Sequence, residues 1–168
     1  MYPADQEMHP PKDEIPACVR LTLVLLREHS FIVSLSEVAV FTSGFAFTAS
    51  VFVRDRAHVG LLDEWSAAWE QPGAVDRGFE LVIGYGDGRR QALGPGDAAK
   101  GITPIVFHRG WSDEFRVSRT AFAWPLPSRG DVTIDCGWPS QGIARTVSSF
   151  PASLLLDAQE AVVRPWDG

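Results

Sequence analysis

The sequence predicts an all-β domain: an immunoglobulin-like β-sandwich of about seven to nine strands, with one short inserted helix and a C-terminal helix. Three observations predict it. Apolar residues recur with period two along the chain, as in Phe45, Phe47, Ala49, Val51 and Val53, and this is the spacing of a strand with one buried face. The 15 glycines and 12 prolines supply the frequent tight turns that short strands require. Residues 124–138 form a corner, in which Trp124-Pro125-Leu126-Pro127 ends one strand in an extended, edge-like exit. A second strand follows with Val132, Ile134, Cys136 and Trp138 on one face.

Taken in order, residues 1–16 hold four prolines, several acids and little apolar surface to offset their ordering entropy, so they read as a flexible tail. Residues 17–168 read as one domain. Val19, Leu21, Leu23 and Leu25 mark a first strand over 19–27. Phe31, Val33 and Leu35 then alternate with serines before the apolar phase shifts to Val38 and Val40. A shift of that kind predicts a β-bulge near Ser36-Glu37. Thr42-Ser43-Gly44 is a turn into the strand over 45–53. Leu61, Leu62, Trp65, Ala68 and Trp69 fall at helical spacing and predict a short helix that Gln71-Pro72-Gly73 ends. Phe79, Leu81, Ile83 and Tyr85 lead into Asp87-Gly88, a type I′ hairpin signal. Further strands are predicted over 105–108 and 114–124, joined by a polar loop, and a brief one through Ile143, Arg145 and Val147. Ser149 as cap, Pro151 early, and Leu154, Leu155, Ala158 and Val162 on one face predict the closing helix.

Composition narrows the function classes. The net charge is −6 and the basic residues are scattered, so no cluster of cations is available to neutralise phosphates and nucleic acid is not an expected partner. The run 21–26 is too short for a membrane span or a secretory core, and no cationic segment or cleavage site frames it. A cytoplasmic setting is the expectation. Cys18 and Cys136 have no neighbouring Cys or His at metal-ligand spacing. They can be two free thiols, with Cys136 as a small buried hydrophobe, or a bridge between an early and a late strand. No metal or cofactor is expected.

Few residues carry chemistry. Gly84-Tyr85-Gly86-Asp87-Gly88-Arg89-Arg90 is a turn and not a phosphate loop, because the Gly-Lys-Ser/Thr ending and a following helix are missing. Arg129-Gly130-Asp131 spells an adhesion tripeptide but is ordinary turn chemistry. His108, Asp113 and Glu114 lie close in sequence beside Trp111, and a His–carboxylate pair next to an aromatic can do acid–base work if the fold brings the groups together. Trp111, set among polar residues, is the tryptophan expected at the surface, where a ring can stack on a sugar or anchor a partner.

The stretch 79–90 with its Gly86-Asp87-Gly88-Arg89-Arg90, together with Trp124-Pro125-Leu126-Pro127, Cys136-Gly137-Trp138-Pro139 and Gly142-Ile143, resembles a group of small actinobacterial proteins with no assigned activity. The resemblance covers about half the chain in patches from Leu21 onward and is weakest over 54–78. It implies a cytosolic bacterial setting and brings no site residues with it.

The expected function is therefore a non-catalytic protein-interaction or structural module. Apolar residues on both strand faces, such as Val24 and Leu26 opposite Leu23 and Leu25, suggest a protein partner or a homo-oligomer. The alternative is a β-sandwich binding a ligand or glycan through exposed tryptophan. An acid–base enzyme around His108, Asp113 and Glu114 is the third reading.

Overall fold

The alternating residues 31–53 fold as one long hairpin on which the rest of the chain assembles. The computed structural model describes residues 8–167. In it β3 (Phe31–Val40) pairs antiparallel with β4 (Phe45–Val53) around the turn at Thr42-Ser43-Gly44. Only glycine fits at Gly44, because a Cβ there would lie 2.3 Å from the Ala123 carbonyl oxygen. The predicted bulge is present. The β3–β4 register shifts between Ser36 and Ala39, Glu37 takes φ 53°, and the extra residue returns Val38 and Val40 to the buried face.

Two short strands occupy the outer edge of β3 where the sequence predicts one. β1 (Ala17–Val19) pairs beside Val38–Val40 and β2 (Leu23–Arg27) beside residues 32–35. A register shift between Val24 and Leu26 turns both Leu25 and Leu26 inward and leaves Val24 outside. The apolar pattern read on both faces of this strand is thus largely a bulge, with Leu26 buried in the core.

Beyond β4, the sheet continues through β9 (Arg116–Ala123) to β8 (Val106–Ser112). The polar loop expected over 108–114 is strand as far as Ser112. Its polarity reflects an edge position with one face toward solvent, not irregular backbone.

The second sheet runs in the order β11 (Ile143–Pro151), β10 (Asp131–Trp138), β5 (Glu80–Gly84), β6 (Arg90–Ala92) and β7 (Ile102–Pro104). All pairs in it are antiparallel except β6–β7. The described residues therefore hold eleven strands rather than seven to nine, several of them only three residues long. The β5–β6 connection also differs from the type I′ turn expected. Gly88 alone has positive φ (88°), with its N–H donating to Tyr85 C=O and Tyr85 N–H donating to Arg89 C=O. That is a three-residue loop closed by a glycine bulge.

Between the sheets lies an aromatic core. The helix α1 (Gly60–Glu70) buries Leu61, Leu62, Trp65 and Trp69, as its spacing predicts. Trp65 packs on Phe79 and Trp138, and Trp138 meets Phe31 edge-on at 5.1 Å. Val132, Ile134, Cys136 and Trp138 are all buried. Each such aromatic removes about 150–250 Å² from water, about 4–6 kcal/mol of transfer free energy before ordering costs. The helix α2 (Ser153–Gln159) begins later than the sequence suggests. Ser149 is still in β11, where cross-strand pairing with Thr133 outcompetes capping, and Leu155 is the buried residue of the helix. Leu154 faces outward.

Of the expected tail, residues 1–7 lie outside the described residues. Residues 8–16 are held in place. Met8 packs against Phe41, Phe122 and Trp124, and Ile15 forms a bridge with Val163. Thr42 N–H (2.9 Å) and Thr42 O–H both donate to the Glu14 carboxylate, and Arg164 Nε donates at 3.3 Å. Burial pushes the Glu14 carboxyl up, but these three donors together outweigh it and hold it below its ordinary range. Both cysteines are free thiols, Cys18 exposed and Cys136 buried, and burial pushes the Cys136 thiol up to about 11.

Candidate functional site

The outer face of the first sheet concentrates polar side chains in a regular array. Strand alternation sends Ser34 and Ser36 of β3, Thr48 and Ser50 of β4, and Ser118 and Thr120 of β9 to this face. The register then aligns them into two rows crossing the strands. Ser34, Ser50 and Ser118 lie opposite one another, and the row ends at Trp111 of β8; Ser36, Thr48 and Thr120 form the next, ending at Arg109. Hydroxyls bond along each row, Ser50 to Ser118 at 2.7 Å and Thr48 to Thr120 at 2.9 Å. Thr48 and Ser50 are buried at the floor of the groove, where an unpaired hydroxyl would be costly, so these pairs also satisfy the floor.

The groove, about 300 Å³, has different ends. At one end Phe52 and Trp111 flank Arg116, whose guanidinium lies 3.9 Å from the Trp111 ring centroid and 5.3 Å from that of Phe52. Such contacts contribute about 0.5–1 kcal/mol each at an exposed site and hold the ring in place. Trp111 is 48% exposed, as expected of it, and the Arg116 Nε has no hydrogen-bond partner among the described residues. At the other end Glu37 accepts from Thr48 Oγ1 at 3.1 Å, held there by its left-handed bulge conformation. Non-glycine residues adopt that conformation at a cost of about 1–2 kcal/mol. Past Glu37 the face is closed by Phe41, Phe122 and Trp124.

The acid–base residues do not converge. His108 lies in β8 with its ring 6.1 Å from that of His9, whereas Asp113 and Glu114 lie in the β8–β9 turn, about 16 Å further along at the rise of a strand. Asp113 accepts from Phe115 N–H and shapes the turn, while Glu114 pairs with Arg56 at 2.6 Å. Among the described residues no group of three His, Cys, Asp or Glu is placed to hold a metal ion, and no helix is long and apolar enough to cross a membrane.

The hydroxyl rows are written in the sequence as small polar residues, with no charged or aromatic motif to mark them. Ser34-x-Ser36, Thr48-x-Ser50 and Ser118-x-Thr120 repeat one i, i+2 pattern on three strands. Comparison with protein-family models, curated proteins and solved structures finds no match for this chain.

Proposed function

We propose that this chain is a non-catalytic binding module, and that the hydroxyl-lined groove takes a polyhydroxylated ligand of the oligosaccharide class. One observation carries the reading: two in-register rows of hydroxyls, one ending at an exposed tryptophan braced by Arg116 and the other at Arg109. Neighbouring strands stand about 4.8 Å apart, which is on the order of the length of one hexose ring, so successive hydroxyls can address successive sugars. Ser34 and Ser36 carry hydroxyls unpaired among the described residues that can donate to and accept from a sugar hydroxyl, the paired hydroxyls keep lone pairs that accept, and Arg109, Arg116 and Glu37 add directional contacts. Trp111 and Phe52 supply the apolar faces on which sugar C–H groups stack.

The test is titration with a panel of oligosaccharides, followed by tryptophan fluorescence and calorimetry, with Trp111→Ala and a Ser50→Val/Ser118→Val double variant. Binding by the parent chain that is lost in Trp111→Ala, with an unchanged melting temperature, supports the reading. A silent panel, or binding indifferent to both variants, overturns it.

A protein partner or self-association is the second reading, in keeping with an immunoglobulin-like sandwich. It is favoured by β8, seven residues long, which pairs with β9 on one side and has no strand on its outer edge among the described residues. Light scattering at high micromolar concentration that reports only monomer removes self-association.

A further inference from the structure

A second cavity lies at the end of the sandwich and shares no lining residue with the hydroxyl groove. It occupies about 650 Å³, within the range of small-molecule sites, where the β3–β4 turn, the exit from β9, β6, β7 and α2 come together. Trp124 and Leu156 contribute apolar wall, and Ser43 and Thr103 contribute hydroxyls.

The polar floor is rich in donors. Gln91 is 1% exposed and lines the cavity; its Oε1 accepts from the Tyr85 hydroxyl, while its Nε2 has no acceptor among the described residues. Burial pushes the Tyr85 phenol well up, so it remains a donor and fixes the Gln91 amide with Nε2 away from it. A buried amide N–H left unpaired costs about 1–3 kcal/mol, and a ligand acceptor would recover it. Arg89 lines the same cavity. Its Nε donates to Asp87 at 2.7 Å, and its Nη1 and Nη2 reach the Pro125 and Leu126 carbonyls at 3.5 and 3.3 Å. A guanidinium has five N–H donors, so some remain uncommitted. Among the described residues no Asp or Glu lines the cavity. Two acids near it are already engaged, Asp87 with Arg89 and Glu14 with Thr42 and Arg164.

We propose that this cavity is a distinct ligand site for a small carboxylic acid with an apolar body. A carboxylate offers acceptors only, which suits the Gln91 amide and the free edge of Arg89. Arg90 also lines the cavity, and with Arg89 offset by Asp87 about one net positive charge remains, which balances a monoanion better than a phosphate dianion.

The experiment is calorimetric titration of the full chain with octanoate and phenylacetate, with octylamine and octan-1-ol as head-group controls. The acids bind at least about tenfold tighter than the alcohol, and Gln91→Glu, which replaces the donor with a repelling acceptor, loses at least about tenfold. Leu156→Trp, which fills the mouth from α2, gives the same loss and decides the matter if Gln91→Glu does not fold. Trp111→Ala leaves acid binding unchanged, so failure of the groove reading and failure of this one are separable. No binding by either acid, acids that bind no tighter than octan-1-ol, or binding unchanged in the variants that fold overturns the proposal.

Discussion

Arg119 and Glu70 offer an unequal ion pair whose two halves should respond differently to removal. The Arg119 side chain is 9% exposed and that of Glu70 47%, with Nη2–Oε1 at 2.7 Å. The guanidinium also donates to Ser66 Oγ at 3.1 Å and to Ser118 C=O at 3.0 Å, fastening α1 to β9. Glu70→Ala leaves a buried guanidinium without its counter-charge. The cost expected is about 2–3 kcal/mol, below the 3–5 of a fully buried pair because half of Glu70 already faces water. Arg119→Met removes the buried charge instead. Glu70 then rehydrates, Ser66 keeps its bond to Leu62 C=O, and the cost expected is about 1 kcal/mol or less. Urea unfolding followed by tryptophan fluorescence measures both. At about 2–4 °C per kcal/mol for a domain of this size, Glu70→Ala lowers Tm by about 4–12 °C. If Arg119→Met costs as much as Glu70→Ala, or more, the pair is itself strongly stabilising and the argument from desolvation is refuted.

Gly110→Ala places a Cβ 2.6 Å from Arg119 Nη1 and 2.9 Å from the Ser118 carbonyl, and Arg119 is pinned; about 1–3 kcal/mol is lost in a thermal melt, and less in an Arg119→Met background. Glu14 has a lowered carboxyl pKa, so the stability it contributes is present above the ordinary carboxylate range and lost as pH falls through the folded value. Glu14→Gln is therefore less stable than the parent near neutrality, by about 1–2 kcal/mol, and chemical denaturation shows the gap closing toward acid pH. For the thiols, a disulfide reagent titrates Cys18 alone in the folded chain and both cysteines in denaturant. Rapid labelling of Cys136 under native conditions contradicts its placement.

Period-two alternation made most of the fold legible, because a sheet with one buried face writes its register into the sequence. The bulge at Ser36-Glu37, the turn at Thr42-Ser43-Gly44, the docking of α1 through Trp65 and Trp69, and the buried face from Val132 to Trp138 follow from residue order alone. What was hidden depended on pairing between distant segments. The bulge that turns Leu26 inward, the three-residue β6 and β7, and the extension of β8 to Ser112 are each fixed by a neighbouring strand, not by local preference. The groove was hidden for the same reason. Three Ser/Thr pairs are unremarked individually, and only the register of four strands makes them rows.

The contact that closes one side of the sandwich has a kinetic consequence. Thr146 Oγ1 of β11 donates to the Leu25 carbonyl of β2 at 3.0 Å, across 121 positions of chain. Phe31 likewise meets its partner ring only on β10. During synthesis every strand of the first sheet emerges before β10 and β11, so part of its apolar inner surface waits uncovered until those two strands arrive. Folding dominated by such distant pairings belongs to the millisecond-to-second range, not the microseconds of helical bundles. A nascent chain stalled before β10 would present Val33, Leu35, Phe45 and Phe47 to solvent, the kind of surface that chaperones bind and that seeds aggregation.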